Sequence, residues 1–172
     1  NNRMEIIPKG IKFKKIIKKT IAGLQYIRNA NNIKISIKIE NDELLYSDKY
    51  RIKVIFMNLI SNAISYQQKD SINPALLITI KTTSEFSEIE FRDNGIGIEE
   101  KYRSKVFDMF FRGTVHSTGS GLGLYITKEI IAKLGGQITL VSEENKGTSI
   151  VLRIPNLISQ IYFLNDDHAE QL

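Results

Sequence analysis

Ile33 to Glu40 reads Ile-Lys-Ile-Ser-Ile-Lys-Ile-Glu, a strict alternation that predicts a strand with one face against a core. Ahead of it, Phe13, Ile16, Ile17, Ile21 and Leu24 recur at helical spacing and predict an amphipathic helix over 11–29, preceded by a short strand at 5–8. Leu44 to Ser47 reads as another short strand. Asp48 then stands where an N-cap belongs, before a helix of about 18 residues whose apolar positions are Ile52, Ile55, Phe56, Leu59, Ile60 and Ala63. Strands follow at 75–83 and 86–92, with Ser84-Glu85 as the turn between them. Residues 93–118 form a long polar, glycine-punctuated connection with one or two short helices, and loops of that length in small domains are usually functional. A helix over 120–134 stops at Gly135-Gly136. Strands at 137–142 and 148–154, joined at Asn145-Lys146-Gly147, close the pattern before Pro155.

Strands and helices are interspersed, and two of the strand pairs read as hairpins. This order predicts an α+β fold: a two-layer sandwich of a mixed, mostly antiparallel sheet with helices on one face, not a doubly wound parallel sheet. Residues 156–172 read as a tail. Ile158, Ile161, Tyr162 and Leu164 could dock as a last turn, and the polar stretch from Asp166 to Leu172 frays.

A length of 172 residues suits one domain with one core, and 42% hydrophobic with 25% charged residues is the balance of a soluble globular chain. No apolar run reaches the length of a membrane span, and no signal-peptide pattern opens the chain. The absence of cysteine excludes disulfides and thiolate metal sites and fits a reducing, cytoplasmic setting. The net charge of +5 is concentrated in Lys9, Lys12, Lys14, Lys15, Lys18 and Lys19. That cluster reads as a solvated helix face. No recognition motif accompanies it to argue for nucleic acid, and a basic domain also suits phosphate ligands. Asn1, not methionine, opens the chain, which reads as a fragment of a longer protein.

Three clusters carry candidate chemistry. Asn58, Asn62 and Tyr66 are spaced i, i+4, i+8 and share a helix face opposite the apolar stripe. A carboxamide oxygen can ligate Mg²⁺ where phosphates supply other ligands, although asparagines also serve to cap and crosslink loops. Asp93 ends a strand and is followed by Gly95 and Gly97. A half-buried carboxylate there can accept from an adenine amine, with the glycines letting the backbone approach the base; the plain alternative is an Asp-Asn-Gly turn. Thr118-Gly119-Ser120-Gly121-Leu122-Gly123-Leu124 runs into a helix, and backbone N–H groups at such a start can cradle phosphates. It lacks the Gly-Lys-Ser/Thr ending of a P-loop, and taken alone it could be a structural turn.

In this order the three clusters resemble the ATP-binding domain of sensor histidine kinases, within the wider family of type II topoisomerase, Hsp90 and MutL ATPases. Asn58 to Tyr66 resemble the N box, and Asp93 to Gly97 the G1 box. Val106-Phe-Asp-Met-Phe-Phe-Arg-Gly113 resembles the F box, and Gly119 to Gly123 the G2 box. The resemblance covers roughly residues 3–155. It implies the Bergerat α/β sandwich, with ATP and Mg²⁺ as ligands. Asn62 would ligate the metal and Asn58 support metal or phosphates. Asp93 would bind the adenine amine, with Gly95 and Gly97 at the base and Tyr66 packing by adenine or ribose. Gly119, Gly121, Leu122 and Gly123 would line the phosphates, Arg112 would reach the γ-phosphate, and residues 99–118 would form a lid. The family often carries Lys or Arg just before the tyrosine. This chain has Ser65, so a phosphate contact is either lost or replaced by Arg112 and Lys69.

The related ATPases carry a glutamate at the place of Asn58, which activates water. An amide cannot act as a general base, so the resemblance implies phosphoryl transfer to a histidine, not hydrolysis. Neither His116 nor His168 sits in a phosphoacceptor pattern, so the acceptor is expected on a separate dimerisation domain, whose exit Asn1 to Glu5 resemble. The implied organisation is a remnant of that domain or a linker at 1–4, the catalytic domain at 5–155 and the tail at 156–172. The implied partners are ATP, the histidine-bearing domain and, indirectly, a response regulator. Neither nucleic acid nor direct membrane contact is implied. The isolated domain is expected to be a monomer and the parent a homodimer. The competing readings are a nucleotide-binding module without turnover and an anti-sigma-type serine kinase, whose N box usually retains the glutamate.

Overall fold

The computed structural model describes residues 6–41, 43–112 and 120–161. In chain order the elements are β1 (Lys9–Gly10), α1 (Phe13–Gly23), β2 (Lys34–Ile39), β3 (Tyr46–Ser47), α2 (Lys49–Ser65), β4 (Ala75–Thr82), β5 (Phe86–Asp93), a 3₁₀ helix (Glu100–Lys105), α3 (Gly123–Lys133), β6 (Gln137–Glu143) and β7 (Gly147–Pro155). Five strands form one sheet in the order β2-β4-β5-β7-β6, and β1 pairs with β3 in a separate two-stranded sheet. β2 runs parallel to β4, and every other neighbour in the large sheet is antiparallel. This is the α+β sandwich that the element order predicts.

The alternation along the strands decides which face the helices cover. In β4, Leu76, Ile78, Ile80 and Thr82 are buried while Leu77 and Lys81 are exposed. In β5, Ser87, Ile89 and Phe91 are buried while Glu88 and Arg92 are exposed. Helix α2 lies on the buried side: Phe56 meets Phe91 edge-on at 5.0 Å between ring centroids and Phe13 of α1 at 5.8 Å. Ile52, Ile55, Phe56, Leu59, Ile60 and Ala63 are all buried, so the apolar stripe read from the sequence is the core face of α2. The Asp48 carboxylate accepts the Arg51 N–H at 2.9 Å and caps the helix as predicted.

Several boundaries differ from expectation. The first strand forms at Lys9–Gly10, not at 5–8, because its pairing with Tyr46–Ser47 places it. Helix α1 ends at Gly23 instead of reaching residue 29. Beyond it, three successive turns close through Leu24–Ile27, Ile27–Ala30 and Asn29–Asn32 bonds. Their three-residue rhythm keeps Leu24 and Ala30 in the core and so imitates a helical stripe. Helix α3 begins at Gly123, not 120, since Gly121 has φ +71° and Leu122 is the cap. At the other end, the folded body includes Asn156, which is buried. It accepts the Tyr46 N–H and donates to the carbonyls of Leu44 and Thr83, each at 2.9 Å. Residues 158–161 form one helical turn. The expected positions of Tyr162 and Leu164 in that turn lie outside the described residues.

Candidate functional site

Helix α2 forms one wall of the site, because it carries Asn58, Asn62 and Tyr66 in a half-buried row that flanks its buried stripe, where the sequence predicts the opposite face; that face carries the exposed Lys53, Met57 and Ser65. At 1.5 Å per residue, the row from Asn58 to Tyr66 spans about 12 Å, comparable with the distance from base to phosphates in a nucleoside triphosphate. Its two ends meet different segments.

At the Asn58 end lies the start of α3. Asn58 Nδ2 donates to the Gly123 carbonyl at 3.2 Å and to Thr127 Oγ1 at 3.4 Å. Thr127, fully buried, in turn donates to the same carbonyl at 2.8 Å. A side chain at Gly123 would start 3.7 Å from Asn62 Oδ1 and 3.9 Å from Asn58 Cβ, so glycine keeps the space beside both carboxamides open. The first N–H groups of α3 have no intrahelical acceptor and border that space. Gly121 at φ +71° is pressed against the chain at Phe110 and Phe111: a Cβ there would come within 2.7 Å of the Phe110 carbonyl carbon and the Phe111 oxygen. Gly121 of the G2 segment thereby lies directly against Phe110 and Phe111 of the F-box segment. Leu122, the N-cap of α3, is half-buried. Among the described residues no group of three or more His, Asp or Glu side chains converges as a metal cage. The donor set at this end is amide oxygen, which suits a hard cation that also takes phosphate oxygens.

At the Tyr66 end lies Asp93. It pairs with Thr148 of β7 and continues the inward series Ser87, Ile89, Phe91, so its carboxyl emerges on the helix-covered face. Burial pushes its pKa up, opposed by hydrogen bonds from the backbone N–H groups of Gly95 and Thr148. The Gly95 N–H lies 2.8 Å from Oδ1. The Tyr66 carbonyl accepts the Ile96 N–H at 2.9 Å, and a Cβ on Gly95 would stand 2.4 Å from that same oxygen. Gly97, at φ +65°, leaves no room at all: a Cβ would fall 1.9 Å from the Glu143 carbonyl. These glycines allow close backbone packing between α2, the loop and the end of β6.

Two expected residues stand apart. Arg112 is exposed and makes no ion pair or hydrogen bond among the described residues. Gly119 lies outside the described residues, as do His116 and His168. Of the expected lid, residues 99–112 form the 3₁₀ helix and the F-box turn, anchored by buried Val106 and by Tyr102 against Phe111 at 5.6 Å. Sequence reasoning missed Thr127 and Gln68. A polar residue four positions before Ile131 in the buried stripe of α3 was the available signal for Thr127. Gln68, just past the end of α2, offered none. A shallow groove lined by Leu77, Arg92, Val141 and Ser149 also takes in Asp93 and Asn94, while neither Asn58 nor Asn62 lines it.

The profile of the histidine kinase-, DNA gyrase B- and HSP90-like ATPase family matches residues 47–158. The chain is 34% identical over 139 residues to histidine kinase P4 of Formosa agariphila, covering 76% of this chain and 10% of that protein. It is 34% identical over 136 residues to the sensor histidine kinase WalK of Bacillus subtilis, covering 77% of this chain and 21% of that protein. It therefore spans only a tenth to a fifth of these relatives. The nucleotide-free catalytic domain of histidine kinase ThkA superposes with a TM-score of 0.72 at 27% identity, covering 89% of this chain and 99% of that one. The two-ended site, the sandwich that carries it and these likenesses agree: the chain belongs to the histidine kinase-, DNA gyrase B- and HSP90-like ATPase family, as an ATP-binding catalytic domain of the sensor histidine kinase kind.

Proposed function

We propose that this domain transfers the γ-phosphate of ATP to a histidine on a separate dimerisation domain of its parent kinase, which then serves a response regulator. The observation that carries the reading is Asn58, an amide held by the Gly123 carbonyl at the position where the family's hydrolases place a water-activating glutamate. Its nitrogen is committed as a donor, and neither atom of the amide can take a proton from water.

In this reading the α2 row sets the polarity of the nucleotide. Asp93 accepts from the adenine amine, with Tyr66, Gly95 and Gly97 shaping the base end. Gly119, Gly121, Leu122 and Gly123 present backbone N–H groups to the phosphates. Asn62, seconded by Asn58, would hold Mg²⁺, which supplies charge neutralisation on the phosphates. Arg112 reaches the γ-phosphate when residues 99–118 close as a lid. The catalytic unit is 5–155 with Asn156 packed onto it, following a remnant or linker at 1–4 and ahead of the rest of the tail to residue 172. A cytoplasmic setting, where ATP is supplied, goes with this assignment. No helix among the described residues is long and apolar enough to cross a membrane.

The test is phosphotransfer in trans. The 172-residue chain is incubated with Mg-ATP, alone and with a histidine-bearing dimerisation domain from a related kinase. Slow background hydrolysis alone and acid-labile phosphohistidine on the added domain are expected. Rapid turnover without phosphohistidine would move the domain to the hydrolase branch. Tight binding with neither outcome would make it a regulatory module.

A further inference from the structure

Gln68 stands two residues past the C-cap of α2 and is half-buried. Its Nε2 lies 3.2 Å from the Asn94 carbonyl, 3.0 Å from that of Gly95 and 3.0 Å from that of Asn145. Three main-chain acceptors from two separate segments thus converge on one nitrogen. Carbonyl oxygens only accept, so they would repel one another without a donor between them. The first two belong to the loop that carries Asp93, and the third belongs to the β6–β7 turn. Those segments also meet through the Asn145 N–H, 2.7 Å from the Ile96 carbonyl. Gly147, at φ +112°, adds a third tie: a Cβ there would come 2.0 Å from the Asp93 carbonyl. Among the hydrogen bonds of the described residues, Gln68 is the one side chain from outside these segments that reaches both; within the loop, the Asp93 carboxylate is held by the Gly95 and Thr148 N–H groups.

We infer that Gln68 is a positioning residue for base selection: it clamps the Asp93–Gly97 loop between α2 and the β6–β7 turn, and so fixes where the Asp93 carboxylate meets a purine amine. The inference rests on the proposed role of Asp93 and goes beyond it by assigning the loop's placement to one side chain. Gln68 acts through the loop and touches no ligand. Its loss should therefore change which base is preferred, and not only how well the domain folds.

The experiment measures ADP and GDP affinity by calorimetry on the full chain, for wild type, Gln68→Glu and Gln68→Met, at about pH 8 and about pH 5.5. The glutamate is nearly isosteric but sets a carboxylate against three carbonyls, while methionine is neutral and donates nothing. Near neutral and alkaline pH both variants should lose roughly tenfold or more in ADP affinity, with a smaller loss for GDP. At the lower pH, Gln68→Glu should recover part of its deficit relative to wild type, because the protonated carboxyl donates one hydrogen bond. Gln68→Met should not recover. Should Gln68→Glu fail to fold at the higher pH, the methionine variant carries the selectivity comparison alone. Unchanged ADP affinity in both variants would overturn the inference, as would equal losses for ADP and GDP. Asp93→Asn runs alongside. If it leaves ADP affinity intact, the base-pocket reading itself has failed and the inference falls with it. If it weakens ADP binding while the Gln68 variants do not, only the inference falls.

Discussion

The side-chain amide of Asn58 donates to the main-chain carbonyl of Gly123 across 3.2 Å, bridging α2 and the first turn of α3. A carbonyl cannot donate in return, so the bond fixes which way the amide is turned: its nitrogen faces α3, and its oxygen is left for whatever lies in the site. Thr127, holding the same carbonyl at 2.8 Å, reinforces the arrangement from below.

Asn58→Asp tests this relationship directly. The substitution keeps the size but replaces the donor by a carboxylate oxygen facing the Gly123 carbonyl. A loss of about 1–3 kcal/mol in stability is expected, the cost of an unmatched buried polar contact. Urea unfolding at neutral pH reads it. Mg-ADP binding should weaken as well, since the new charge repels phosphates. A wild-type unfolding midpoint would mean that the α2–α3 bond does not form.

Asp93→Asn should move stability and binding in opposite directions. Burial raises the Asp93 pKa, against the pull of the Gly95 and Thr148 N–H groups. A raised folded-state pKa means that ionisation costs the folded domain. The cost is full above that pKa and vanishes as pH falls below the unfolded value. At neutral pH the asparagine variant escapes it, so the nucleotide-free domain should melt at higher temperature than wild type, by an amount that shrinks on acidification. ADP affinity should nevertheless fall by about 1–3 kcal/mol, because an amide presents a donor where the adenine amine needs an acceptor. Calorimetry with ADP and thermal melts over a pH series read both sides. A variant less stable than wild type at neutral pH would contradict the sign.

Gly97→Ala should be among the most damaging single changes in the site. It combines a left-handed φ of +65° with a Cβ placed 1.9 Å from the Glu143 carbonyl. Backbone strain of this kind costs about 1–3 kcal/mol, and the collision forces the β6–β7 turn away in addition. Urea unfolding should show the loss, and ADP binding should weaken more than stability alone explains. If alanine is tolerated with unchanged midpoint and affinity, the loop and the turn are not in contact in solution.

What could be read from the sequence divides along a physical line. Helix α2 was legible in full, since its Asp48 cap and its stripe from Ile52 to Ala63 are local features. Gly95, Gly97 and Gly121 were legible as points of close backbone approach, because such approach leaves glycine as its only signature. The strict alternation at 33–40 gave the strand correctly, yet Ile35, Ile37 and Ile39 are only half-buried, because β2 is the edge strand. The two-residue β1 was misplaced because only its partner, Tyr46–Ser47, defines it. The turns after Gly23 read as part of α1 because Leu24, Ile27 and Ala30 recur at three-residue spacing, which a helix shares with successive i, i+3 turns. The clamp at Gln68 carried no local mark, since its three acceptors come together only when the sheet is complete.

That last feature bears on the order of folding. Gln68 and Asn145 are 77 positions apart, Asn58 and Gly123 are 65 apart, and the bond from Tyr46 to Asn156 spans 110. Loops of such length must close before the contacts that reward them exist, so these ties are expected late in assembly. Nucleotide affinity then becomes a report on whether the final hairpin has docked. A nascent or truncated chain ending before β6 would hold both asparagines and Asp93, yet lack the partners at Asn145 and Thr148 that place the Asp93 end.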